Sequence, residues 1–198
     1  MVGSLVVLEG IDAVGKTTQA ALLAKRLEAE GKEVVLTRQP HADFHVFEET
    51  LEKLYPGEPS PEADALLFAL DKAEHVNKVV KPALAAGKTV VSDRYYPSSI
   101  AYQSVFDGLD AQWIKSVNAF APEPDLFVFM RVTVDVAAAR ASASGKRRLA
   151  RFEDFAVQGR VQDVYVELAK APNWVTVDAD GSVDDVAGRV WAAVSRVL

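Results

Sequence analysis

The sequence predicts an α/β fold, with a five-stranded parallel sheet lying between two layers of helices. Three observations carry this expectation. Short apolar, β-branched runs at 5–8, 34–37, 89–92, 126–130 and 174–177 show no clean polar alternation, as expected of strands buried on both faces. Longer stretches with helical spacing separate them, at about 17–30, 61–86, 98–119, 134–144, 153–170 and 183–197. A glycine-rich turn joins the first run to the first helix. Alternation of this kind builds βαβ units, and so a parallel sheet covered by helices on both sides.

Each element has its own local reason. The first helix carries Leu22, Leu23 and Leu27 on one face, and Gly31 supplies its C-terminal cap. Ser60 followed by Pro61 reads as an N-cap with proline in the first turn of the second helix, which Gly87 closes. Ser182, with Asp184 and Asp185 just after it, starts the last helix. The run 121–125 is a loop into the fourth strand. Segment 40–60, with His41, His45, Pro56 and Pro59, has no readable pattern.

The 198 residues suit one domain, 1–198. Half of them are hydrophobic (49%) and a quarter charged (25%), as in an ordinary globular protein. A net charge of −6 argues against a surface that coats nucleic acid or an anionic membrane. It leaves room for a small anionic substrate in a locally basic pocket. No cysteine is present, which excludes disulfides and thiol chemistry. No basic leader or cleavage signal precedes the first strand, and no apolar run reaches the length of a membrane span. The expectation is a cytoplasmic protein.

The most specific pattern is Gly10-Ile11-Asp12-Ala13-Val14-Gly15-Lys16-Thr17, followed by Thr18. It is G-x-x-x-x-G-K-[ST] between a strand and a helix, the setting this phosphate-binding motif requires. Glycines let consecutive N–H groups converge on an anion, and the helix start adds unpaired N–H groups. Lys16 is placed to reach the β- and γ-phosphates, and Thr17 to hold Mg²⁺.

Three further groups bear chemistry. Asp93 and Arg94 stand at the end of the third strand, where the ligand crevice of a parallel sheet opens. Asp93 suits the water shell of Mg²⁺, and the planar fork of Arg94 suits a second phosphate. Lys146, Arg147, Arg148 and Arg151 follow a small-residue stretch and suit a lid, at about 142–153, that closes over transferring phosphates. Phe68 and Lys72 lie one turn apart on one helix face, placed to stack on a base and to donate to its edge. His75 reads as a surface or capping group. Three histidines and no cysteine make a His-based metal site a poor reading.

Together these residues resemble the thymidylate kinases, P-loop nucleoside monophosphate kinases. The matching stretches are Leu8-Glu9-Gly10-Ile11-Asp12 through Gln19, Thr37-Arg38-Gln39-Pro40, Leu67-Phe68-Ala69 with Asp71 and His75, and Arg151-Phe152-Glu153. Most specific is Asp93-Arg94-Tyr95-Tyr96-Pro97-Ser98-Ser99-Ile100-Ala101-Tyr102-Gln103. The resemblance implies the three-layer P-loop NTPase fold, ATP-dependent phosphorylation of dTMP with Mg²⁺, and a homodimer. It implies that Asp12 sits near Mg²⁺ and the acceptor, that Arg38 and Arg94 hold the acceptor phosphate, and that Phe68 stacks on thymine. Ser99 and Gln103 would meet the base edge, and Tyr102 would crowd the 2′ position of the sugar. Ala13 stands where some relatives have arginine, so catalytic positive charge would come from Arg147, Arg148 and Arg151.

Three departures bear on specificity. Lys72 replaces the usual arginine and loses its bidentate fork. The loop after the second strand reads Thr37-Arg38-Gln39-Pro40-His41-Ala42 instead of T-R-E-P-G-G. The helix that the resemblance implies after this loop lacks the arginine that often helps hold the nucleotide, and Lys53 is the only base in it. A different or broader acceptor on the same fold, including a deoxynucleoside, stays open as the alternative. A regulatory GTPase would need an Asn-Lys-x-Asp motif, and Asn77-Lys78-Val79-Val80 does not supply it.

Overall fold

A computed structural model describes residues 3–41, 44–144 and 155–198, with the side chains of Phe47, Ser144 and Ala156 left aside. The elements run β1 (Ser4–Glu9), α1 (Lys16–Ala29), β2 (Val34–Arg38), α2 (His45–Leu54), α3 (Pro61–His75), a π-helical segment (Val76–Val80) and α4 (Lys81–Ala85). Then come β3 (Thr89–Asp93), α5 (Tyr96–Phe106), α6 (Ala111–Val117), β4 (Leu126–Arg131), α7 (Val134–Ser144), α8 (Phe155–Leu168), β5 (Trp174–Asp178) and α9 (Val183–Val194). All strands are parallel, in the order β2-β3-β1-β4-β5.

β1 lies at the centre and its side chains alternate between two cores. Val6 and Leu8 join Leu23 and Leu27 of α1 and Val186 and Val190 of α9. Leu5 and Val7 join Val76, Val80 and Ala83 on the other side. This is the predicted three-layer α/β fold. Burial on both faces holds for β1, β3 and most of β4, but not for the edge strands: Leu36 of β2 is 48% exposed. An outer strand has one neighbour and a thinner cover of helix.

The predicted caps form. Ser60 Oγ accepts from the Ala63 N–H at 3.2 Å, and Ser182 Oγ accepts from the Asp185 N–H at 3.2 Å. The helical stretch predicted over 61–86 runs on through the π-helical segment. Pro82 has no N–H to continue the regular ladder, and the widened turn stands just before it.

Two expectations need correction. The stretch 98–119 is two helices, because Gly108 turns the chain with φ 68° and Asp110 starts α6 by accepting from the Trp113 N–H at 2.8 Å. Segment 40–60 contains α2, a helix whose start has no side-chain cap to announce it in sequence.

Two left-handed residues without the freedom of glycine, Ala13 (φ 61°) and Arg94 (φ 72°), mark where the fold is strained. Such a backbone costs roughly 1–2 kcal/mol each and persists where its surroundings over-determine it. Both stand at the carboxyl ends of β1 and β3, which register pairs through Leu8 and Asp93.

Candidate active site

The phosphate loop leaves β1 through Gly10, whose φ is 143° and whose absent Cβ would lie 2.5 Å from the Met130 carbonyl oxygen. No side chain fits there without moving backbone. Ile11 and Val14 are buried anchors of the loop, and Gly15 turns it into α1 with φ 107°. Lys16 folds back over the loop, its Nζ donating to the carbonyls of Gly10 at 2.9 Å and Ile11 at 2.7 Å. Burial, and then the nearby charge of Arg94, push Lys16 down to about 8. Thr17 Oγ1 donates to Asp93 Oδ2 at 2.5 Å, joining the start of α1 to the end of β3. Thr18 is exposed in the first turn of α1.

Asp93 is 7% exposed, and its Oδ1 has no hydrogen-bond partner among the described residues. A buried carboxylate oxygen beside a hydroxyl of the phosphate loop suits a hydrated divalent cation held mainly by phosphates. Among the described residues no group of three metal-ligating side chains gathers.

Arg94 is the hub of a network beside the phosphate loop. Its Nη2 pairs with Asp12 Oδ1 and donates to Tyr102 Oη at 3.3 Å. Its Nη1 donates to Ser98 Oγ at 3.0 Å, and the guanidinium lies 5.0 Å over the Tyr102 ring. Beneath it, Glu9 is fully buried. The Glu9 carboxylate accepts from the Tyr95 N–H (2.8 Å), Ser98 Oγ (2.7 Å) and Tyr165 Oη (2.9 Å). Burial raises Glu9 above the usual carboxylate range, against the pull of those hydroxyls and of Arg94. Gln158 of α8, also buried, accepts from Tyr102 Oη at 3.2 Å and from the Asp12 N–H at 3.4 Å.

A cavity of about 480 Å³ opens beside this hub. Asp12, Arg94 and Tyr102 form its phosphate-loop end, and Arg38, Phe68, Lys72, Ser99 and Gln103 line the rest. Phe44, one residue before α2, stacks on one side of Phe68 with ring centroids 4.4 Å apart. Lys72 Nζ donates to Ser99 Oγ at 2.9 Å and to Asn118 Oδ1 at 3.0 Å. Burial pushes Lys72 down to about 8. Gln103 is 3% exposed, and both its amide atoms lack partners among the described residues.

His75 is not a surface group. It is buried, with Nε2 2.6 Å from Thr37 Oγ1 and Nδ1 2.9 Å from Gln39 Nε2, and burial lowers its pKa. It ties α3 to the end of β2, just before the cis Gln39–Pro40 bond. Helical spacing alone cannot tell such a buried strut from a surface cap.

The structure thus brings Asp12, Lys16, Thr17, Asp93 and Arg94 to one rim, and sets the cavity residues beside them. Arg147, Arg148 and Arg151 lie outside the described residues. Glu9, Phe44, Asn118 and Gln158 were not among the expected site residues. Only Glu9 left a trace in sequence, as an acid directly after the apolar run Leu5–Leu8.

The sheet order, the phosphate loop and the cavity beside it define a P-loop phosphotransferase. The family model for thymidylate kinase matches residues 8–190. A probable thymidylate kinase from Thermococcus gammatolerans is 42% identical over 93% of this chain and 92% of its own length. One from Pyrococcus horikoshii is 41% identical over 100% and 98%. A thymidylate kinase from Synechococcus sp. strain JA-2-3B'a(2-13) is 41% identical over 98% and 95%. The chain belongs to the thymidylate kinase family.

Proposed function

We propose that the cavity beside the phosphate loop takes dTMP and that the loop itself takes the triphosphate of ATP. The reaction is ATP-dependent phosphorylation of dTMP to dTDP. The observation that carries the assignment of sites is the Arg94–Asp12 pair, which stands where the loop and the cavity meet.

Transfer breaks the bond between the γ-phosphorus and its bridging oxygen and forms one to a phosphate oxygen of dTMP. That nucleophile is already anionic, so no general base is needed. Positioning and charge neutralisation carry the catalysis. Lys16 exchanges its two carbonyl partners for phosphate oxygens. Arg94 and Arg38 hold the acceptor phosphate. Phe68 stacks on the base, and Tyr102, held by Arg94 and Gln158, narrows the space at the 2′ position. Arg147, Arg148 and Arg151 complete the positive charge around the transferring group. Mg²⁺, when bound, would be held by Thr17 and, through water, Asp93, and would neutralise charge on the donor phosphates.

The whole chain serves as one domain, placed in the cytoplasm. No described helix is long and apolar enough to cross a membrane. Leu66 and Leu70 lie one turn apart on α3 and are 49% and 48% exposed, which supports a second copy of the chain as partner.

ADP release measured across dTMP, dUMP, UMP, AMP, GMP and thymidine tests the acceptor. Turnover highest with dTMP is the expected outcome. Turnover with thymidine but not dTMP overturns it.

A further inference from the structure

We infer that Asn118 is a positioning residue for base recognition: it aims the Lys72 ammonium at a carbonyl of the acceptor's base. The inference rests on reading the cavity as the dTMP pocket.

Asn118 sits just past α6 and is 3% exposed. Its Nδ2 donates to the Ile114 carbonyl at 2.8 Å. That bond fixes which way the amide faces and turns Oδ1 toward Lys72. Lys72 Nζ is therefore held between Asn118 on one side and Ser99 of α5 on the other. An ammonium has three N–H donors, and these two acceptors use two of them. The third has no partner among the described residues, and Lys72 lines the cavity.

A lone lysine is a flexible point donor, and it lacks the directional fork of arginine. Two fixed acceptors remove that freedom and define where the third donor points. Ser99 accepts from Lys72, so its own hydroxyl hydrogen is left to donate. Gln103, one turn along α5, adds an unpartnered donor and acceptor. A pyrimidine-2,4-dione presents acceptor, donor, acceptor along its edge. Cytosine presents an amine where that base has its 4-carbonyl. An ammonium only donates, so at that position it donates to the carbonyl and leaves the amine unpaired. Rejection by an unpaired buried polar group is stronger than rejection by shape.

The test is steady-state kinetics with dTMP and dCMP for the wild-type chain, Asn118→Leu, Lys72→Met and the double variant. In Asn118→Leu we expect KM for dTMP to rise about tenfold, kcat to stay within about twofold, and dTMP-over-dCMP preference in kcat/KM to fall about tenfold. KM for ATP stays unchanged. In the Lys72→Met background, Asn118→Leu adds no further loss of preference, because both act through one ammonium. If Asn118→Leu does not fold, Asn118→Ala is read the same way. An unchanged preference in a folded Asn118→Leu, or multiplying losses in the double variant, overturns the inference. Absence of dTMP turnover in the wild-type chain overturns the pocket reading itself.

Discussion

Arg94 and Asp12 form an ion pair across 82 positions of sequence, joining the turn after β3 to the phosphate loop. Neither residue is deeply exposed, with 17% and 21% of their side chains accessible, so solvent screens the pair only in part. The pair stands where the phosphate loop meets the cavity. We expect Arg94→Ala to lower kcat/KM for dTMP by about 100-fold or more. Arg94→Lys recovers little of this, because the ammonium has no fork to span two phosphate oxygens. Steady-state kinetics check both. Recovery by Arg94→Lys would assign Arg94 a role as charge alone.

The pH profile follows from Lys16 and Lys72. Both are pushed from 10.5 down to about 8 by burial, so in the free chain they lose charge as pH rises through about 8. Since kcat/KM reports ionisations of the free enzyme, its value for ATP falls above pH 8. Bound phosphate favours the Lys16 ammonium, so kcat at saturation holds to higher pH. Between about 8 and 10.5 the unfolded chain binds more protons at these lysines than the folded one. Their contribution to stability therefore rises with pH across that window. A kcat/KM for ATP that stays flat well above pH 8 contradicts this.

Glu9 separates packing from charge. Its raised pKa means that the folded chain holds this proton to higher pH than the unfolded chain, whose carboxyl titrates near 4.5. The stability it contributes is full below that value and is lost as pH rises through the folded pKa. Glu9→Gln keeps an acceptor for the Tyr95 N–H and removes the titration, so stability at pH 7 changes by less than about 1 kcal/mol. Glu9→Leu strands that N–H and costs about 2–3 kcal/mol. Denaturant unfolding at two pH values distinguishes these outcomes.

Arg148→Ala and Arg151→Ala should each lower kcat more than they raise KM, because their charge is needed as the γ-phosphoryl transfers. Wild-type kcat in both variants removes the lid arginines from the mechanism.

The apolar pair on α3 predicts self-association. Sedimentation of the wild-type chain should give a dimer, and Leu66→Glu with Leu70→Glu a monomer that keeps its fold. A monomeric wild-type chain rejects the dimer.

Much of the site was legible because it is local. The spacing of Gly10, Gly15, Lys16 and Thr17 encodes a loop shape within eight residues, and Asp93 with Arg94 ends a readable strand. Ser60 and Ser182 cap helices through bonds to residues three positions on. Edge exposure of β2, the break at Gly108 and the helix α2 were less legible, since each depends on neighbours more than on periodicity.

By itself, the sequence determined the α/β class, the phosphate loop and the two-nucleotide chemistry, because periodicity, glycine placement and contiguous motifs act over short stretches of chain. Tertiary structure alone decided that Lys72 answers to Asn118, 46 positions away, that Gln158 reaches Asp12, and that Glu9 lies under Arg94. Those relations are set by which strands and helices pack together. A buried polar group takes whatever partner the packing supplies, and no spacing along the chain announces it.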